Sequence, residues 1–132
     1  RVELIIRGMC SLYPGREGLS ESISVVSIIG QFLEHSRIFW FGNGGSPEVY
    51  IGSADWMSRN LDRRVEAVTP VEDPNLRGRL ERLLELYLKD NRGAWDMQSD
   101  GSFIQRQPDD GEDVCNSQVQ LIKQWSQGVP QS

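Results

Sequence analysis

Two apolar runs, Ile38-Phe39-Trp40-Phe41 and Val49-Tyr50-Ile51, flank the cluster Gly42-Asn43-Gly44-Gly45-Ser46-Pro47. Gly and Asn tolerate positive φ, so the cluster reads as a turn and the runs as the two arms of an antiparallel hairpin. This feature constrains the chain more than any other. In a hairpin the start of the first strand lies beside the end of the second. The residues ahead of Ile38 are therefore expected next to Gly52-Ser53-Ala54-Asp55, and His35 near Ser53 although they are distant in sequence.

His35 is the only histidine. It alternates with Arg37, and in an extended segment that spacing puts both side chains on one face. An imidazole beside a guanidinium suits a phosphoryl oxygen. The arginine forks onto it, and the histidine exchanges a proton near pH 7. The small residues 52–55 let backbone N–H groups and a hydroxyl approach an anion. Asp55, Asp62 and Glu66 are acidic neighbours of this proposed site. One of them is expected to orient His35 through its second ring nitrogen or to pair with an arginine, and the sequence leaves the choice open. Arg63 and Arg64 are consecutive, so at most one would face a ligand from a strand.

These residues carry a family resemblance. H-S-R at 35–37, the Gly-Asn-Gly-Gly turn, and Y-I-G-S-A-D-W-M-S-R-N-L-D-R-R-V-E at 50–66 resemble the carboxy-terminal catalytic domain of bacterial polyphosphate kinase. Upstream, I-I-R-G-M-C-S-L, P-G-R-E-G-L-S-E-S-I and I-I-G-Q-F-L-E-H-S-R match the same family in the same order, and the similarity runs from about residue 2 to about residue 106. The resemblance implies an enzyme that moves the terminal phosphoryl group of ATP reversibly onto polyphosphate through a phosphohistidine. That histidine would lie in a neighbouring domain, outside this chain. It implies His35 as the catalytic residue opposite that group, and Arg7, His35, Arg37 and Arg64 as contacts for ATP or phosphate. The family also resembles half of the phospholipase D fold, whose signature is His-x-Lys-x4-Asp followed by Gly-Ser-x-Asn. Here Arg37 stands for the Lys, Gly42 takes the Asp spacing with Asn43 beside it, and Asp55 stands for the Asn. Those departures count against phosphodiesterase chemistry.

The expected architecture is α/β, a mixed sheet of about five to seven strands flanked by helices, phospholipase D-like by resemblance. Residues 1–128 are read as one domain and 129–132 as a frayed tail. A chain of 132 residues is long enough for a real core. It opens on a strand pattern without an initiator Met, which fits a piece of a longer multidomain enzyme. Cys10 and Cys115 are too few for a disulfide framework or a zinc site and read as buried free thiols. The net charge of −5 argues against a nucleic-acid partner, which wants a broad basic face. It allows a local anion site, since the acidic excess falls mainly after Pro70 and every cation before it is an arginine.

Along the chain, residues 2–6 read as a central strand ended by Arg7-Gly8, with the apolar pattern continuing over 9–12. A loop follows over 13–20, with Arg16 solvated in it. Residues 23–26 read as a strand, and Ser27 as the cap of a short helix over 28–33. Residues 56–61 read as a connection, 62–68 as a third strand with mixed alternation, and 69–72 as its break. Asp73-Pro74 opens the clearest helix, with Leu76, Leu80, Leu83, Leu84, Tyr87 and Leu88 as its stripe and Asn91-Arg92-Gly93 as its stop. Residues 94–97 and 103–105 form a strand pair around an Asp-Gly turn. After an acidic loop at 108–113, residues 114–127 read as a second helix.

The expected substrates and partners are ATP or ADP, polyphosphate and the remaining domains of the parent enzyme, itself a homo-oligomer by resemblance. Magnesium would be bound by that remainder, because this sequence shows no dedicated carboxylate cluster. No metal ligand is assigned here. The expected location is the cytoplasm, with membrane association of the parent enzyme left open. Two alternatives are carried alongside: half of a metal-independent phospholipase D-like phosphodiesterase, and a non-catalytic phosphate-binding module.

Overall fold

The computed structural model describes residues 1–8, 10–126 and 128. The continuation expected at Met9, the end of the last helix at Gln127 and the tail at 129–132 lie outside them. The described residues form two compact units, those within 1–34 and 85–128 and residues 35–84. The α/β reading holds, but the strands do not form the single expected sheet: seven strands divide into a four-stranded and a three-stranded sheet.

In the first unit, strands β1 (Val2–Ile5), β2 (Ile23–Ile28), β6 (Ala94–Met97) and β7 (Phe103–Gln105) lie in the order β1-β2-β6-β7. β1 and β2 are parallel, and the other pairs are antiparallel. Val25, Val26, Ala94 and Met97 fill the core of this sheet. The Asp-Gly turn forms as read, with Gly101 at φ 90° and the Gln98 amide on the Ser102 carbonyl at 2.8 Å. Ser27 caps no helix. It lies inside β2 and its hydroxyl donates to the Ile6 carbonyl at 2.8 Å. The helix expected at 28–33 is absent, and residues 29–34 are held instead by long-range bonds. The Ile29 amide donates to Gly93 at 2.8 Å. Gln118 accepts from the Phe32 amide at 3.0 Å and donates to its carbonyl at 2.7 Å. Gly30 lets that amide lie against the chain, because a Cβ there would stand 2.3 Å from Gln118 Oε1. The near-helical spacing of apolar residues misled because Ile29, Phe32 and Leu33 are exposed.

Helix α2 (Pro74–Lys89) opens as the sequence indicates. Asp73 Oδ1 accepts from the amides of Asn75 at 2.9 Å and Leu76 at 3.0 Å, the bonds of an N-cap. Its other end is fixed by Asp90, 1% exposed. Asp90 Oδ1 accepts from the amides of Arg92, Gly93 and Ala94 at 2.8, 2.5 and 3.2 Å. Oδ2 accepts from the amide and hydroxyl of Ser117 at 2.7 and 2.6 Å. Burial, the largest influence, pushes this carboxyl up, but the Ser117, Arg92 and Gly93 bonds outweigh it and hold it below its ordinary value. The last helix, α3 (Ser117–Ser126), starts three residues later than expected. Asn116 caps it through Oδ1 to the Val119 amide at 3.0 Å, and Ser117 is drawn onto Asp90. Cys10 and Cys115 are free but half-buried rather than buried; burial raises the Cys115 thiol pKa.

The second unit holds the hairpin. β3 (Ile38–Phe41) pairs antiparallel with β4 (Glu48–Gly52), with Ile38 opposite Ile51 and Phe41 opposite Glu48. Asn43, Gly44 and Gly45 turn the chain at φ 40°, 62° and 100°. The third strand comes later than expected. Residues 58–63 form helix α1 (Ser58–Arg63), where a connection running into a strand was read. The strand is β5 (Val68–Pro70), paired with β4. Thr69 and Pro70 therefore belong to the strand rather than breaking it. β5 is an edge, where proline's missing N–H costs no ladder bond. α1 escaped the sequence reading because it is one and a half turns long and Met57 stands at its N-cap without a side-chain bond.

Candidate functional site

The hairpin brings Arg37, just ahead of Ile38, beside Gly52 and Asp55, as its sequence implies. The ladder runs one step past β3, where the Gly52 amide donates to the Arg37 carbonyl at 3.1 Å. Arg37 then reaches Asp55. Its Nε lies 3.0 Å from Oδ1 and its Nη2 3.2 Å from Oδ2, while Nη1 donates to the carbonyl of His35 at 3.0 Å. Both partners of this fork are about three-quarters buried, at 24% and 23% side-chain exposure. Two parallel N–H···O bonds give a carboxylate fork strength and direction. Of the three candidate acids, Asp55 is therefore the one paired with Arg37. The His35 side chain is exposed at the head of the strand.

Glu66 has a different task. Its carboxylate accepts from the Ser53 hydroxyl at 2.5 Å and from Asn60 Nδ2 at 2.8 Å. Ser53 lowers its pKa most, then Asn60, with Arg64 and Arg37 adding attraction. The donors at 52–53 are thus committed internally, since the Ser53 amide also bonds the Ala67 carbonyl at 3.0 Å and its hydroxyl accepts from the Ala67 amide at 3.1 Å. The segment is a brace between β4 and the chain entering β5, rather than the open anion cradle that its small residues suggested. Asn60 Oδ1 is buried without a hydrogen-bond partner. Trp56 stacks on Phe39 at 5.9 Å between ring centroids.

The predicted residues fall in both units. Arg37, His35 and Arg64 belong to the second, with Arg64 exposed just after α1. Arg7 belongs to the first, at the end of β1, where its Nη1 donates to the Glu34 carbonyl at 2.8 Å. Glu34 is held again through its side chain, by the Tyr87 hydroxyl at 2.8 Å and Gln118 Nε2 at 2.7 Å. The residue preceding His35 is thus anchored on three sides. Sequence reading missed Glu34, Tyr87 and Gln118 in this role, because they are brought together from three distant segments. Arg16, read as solvated, packs its guanidinium 4.2 Å from the Tyr13 ring centroid and donates to the Ser99 carbonyl at 3.1 Å.

Among the described residues, no three His, Cys, Asp or Glu side chains gather as a metal site. No helix among them is long and apolar enough to cross a membrane.

The profile for polyphosphate kinase C-terminal domain 2 matches residues 1–118. The chain is 98% identical over 132 residues to a polyphosphate kinase of Parasynechococcus marenigrum strain WH8102, covering all of this chain and 18% of that protein. It is 50% identical over 129 residues to a polyphosphate kinase of Pseudomonas aeruginosa strain PAO1, covering 98% of this chain and 19% of that one. The crystal structure of polyphosphate kinase from Porphyromonas gingivalis superposes with a TM-score of 0.87 at 39% identity, over 95% of this chain and 19% of that chain. The chain spans less than a fifth of the length of these relatives.

Proposed function

We propose, for a chain that belongs to the polyphosphate kinase C-terminal domain 2 family, that it supplies the electrophilic side of a phosphoryl-transfer site within a larger polyphosphate kinase. The reaction is reversible transfer of the terminal phosphoryl of ATP to polyphosphate through a phosphohistidine carried outside this chain. Phosphoryl transfer asks little covalent chemistry of the protein and much positioning and charge stabilisation. His35, as an imidazolium, stabilises charge on the moving group or protonates the leaving oxygen. Arg7 holds nucleotide phosphates, and Arg37 and Arg64 line the polyphosphate path. Magnesium belongs to the remainder of the enzyme, and no step here is routed through it. The phospholipase D-like kinship, the cytoplasmic location and the oligomeric parent belong to the same reading.

The supporting observation is the hairpin head. It presents His35 exposed, on a backbone tied through Arg37 to Asp55, in a chain whose relatives are named polyphosphate kinases. The test is His35→Ala in the full-length enzyme. Loss of a transition-state charge contact costs about 10²–10³ in rate. Polyphosphate synthesis should fall by that factor while the melting curve stays in place. Activity within a few-fold of wild type would overturn the assignment.

A further inference from the structure

We propose that Asp55 is a positioning residue for His35, acting through Arg37. The inference rests on the reading of His35 given above and names the groups that set its place. Arg37 bridges two acceptors: the Asp55 carboxylate, through Nε and Nη2, and the His35 carbonyl, through Nη1. A guanidinium is a rigid plane, so fixing two of its nitrogens on a carboxylate fixes the direction of the third. The carboxylate therefore determines where Nη1 points, and Nη1 holds the backbone of His35. Asp55 itself is carried by the segment leaving β4, held by the amide of Gly52, the last residue of β4, on the Arg37 carbonyl and by the amide of Ser53 on the Ala67 carbonyl. Glu66 braces the same segment through Ser53. The chain of support thus runs from the β4–β5 connection through a carboxylate and a guanidinium to the peptide that bears the imidazole.

The fork also bears on charge. Three of the five guanidinium N–H groups of Arg37 are engaged in these bonds, and its charge is balanced by Asp55. Arg37 thus commits three of its N–H groups to holding His35, directly and through Asp55, and keeps the other two for the polyphosphate path proposed above. A displacement of about 1 Å at a reacting group is enough for a loss near 10²-fold.

The experiment is a double-mutant cycle in the full-length enzyme, with kcat taken per folded enzyme by thermal melting. Asp55→Ala and Arg37→Ala are each expected to lower kcat by about 10- to 100-fold, with KM for ATP nearly unchanged. The double variant should be within about twofold of the worse single variant, because both substitutions cut one chain of support. If Asp55→Ala does not fold, Asp55→Asn replaces it in the cycle, keeping the volume and one acceptor. Multiplying losses, or a rise in KM with kcat retained, would overturn the positioning role. His35→Ala, run in parallel, separates the two claims. An active His35→Ala enzyme refutes the reading of His35. An inactive one beside a normal Asp55→Ala enzyme refutes the role of Asp55 alone.

Discussion

Asp90 offers the strongest test of how the first unit is held. Its carboxylate takes five hydrogen bonds, and the amides of Gly93, Ala94 and Ser117 among them belong to buried residues. Asp90→Ala strands those three donors, while the amide of exposed Arg92 rehydrates. A buried donor left without a partner costs about 1–3 kcal/mol. Water entering the vacated space recovers part of the sum, so a loss of about 3–5 kcal/mol is expected, comparable to breaking a buried charged network. Asp90→Asn keeps an acceptor for one set of donors but turns an N–H toward Ser117, for a loss of about 2–3 kcal/mol. The folded carboxyl lies below its ordinary value, so its contribution is present above that value and disappears as pH falls through the folded pKa. The stability gap between wild type and Asp90→Asn should therefore narrow as pH falls from neutral through the ordinary carboxylate range and below it. Urea unfolding followed by far-UV circular dichroism measures both quantities. A loss under about 1 kcal/mol for Asp90→Ala, or a gap that stays constant with acidification, would refute the reasoning.

Two further stability predictions follow from contacts already described. Gly30→Ala places a methyl group against Gln118, which is itself bonded to Phe32 and Glu34 and cannot swing away without losing those bonds; a loss of about 1–3 kcal/mol in urea unfolding is expected, and a loss under about 0.5 kcal/mol would show that Gln118 is free to move. Asp73→Ala removes the cap that receives the Asn75 and Leu76 amides and should cost about 1 kcal/mol in thermal melts, with Asp73→Asn nearly neutral; equal melting of wild type and Asp73→Ala would show the cap to be idle.

The elements legible in the sequence were those whose signal is local. The hairpin followed from a glycine-rich turn between two apolar runs, and α2 from Asp73-Pro74 ahead of a leucine stripe. The Asp-Gly turn between β6 and β7 is of the same kind. What misled was apolar spacing whose side chains are not buried together. Residues 28–33 have near-helical periodicity, yet Gln118, from more than eighty residues away, takes up the backbone groups that a helix would have used. Nor could local propensity show the division into two sheets, because which strands pair is decided by register between segments far apart. β2 illustrates this, with β1 on one side and β6, some seventy residues later, on the other.

The same distinction governs the site. Counting arginines before Pro70 suggests a reservoir of positive charge for phosphate, but their partners change that count. Arg1 pairs with Glu3, Arg37 with Asp55, and Arg64 lies within the attraction of Glu66. Arg16 is taken up by Tyr13 and Ser99. A cation already balanced by a carboxylate attracts an anion less, but it holds a fixed direction, and direction is what the role proposed for His35 requires. The topology of the hairpin was enough to say that an acid would stand near His35. Choosing Asp55 over Glu66 required knowing that Ser53 and Asn60 had already claimed Glu66. Under the role proposed for His35, the arginine of the H-S-R motif contributes by what it holds in place as well as by its charge.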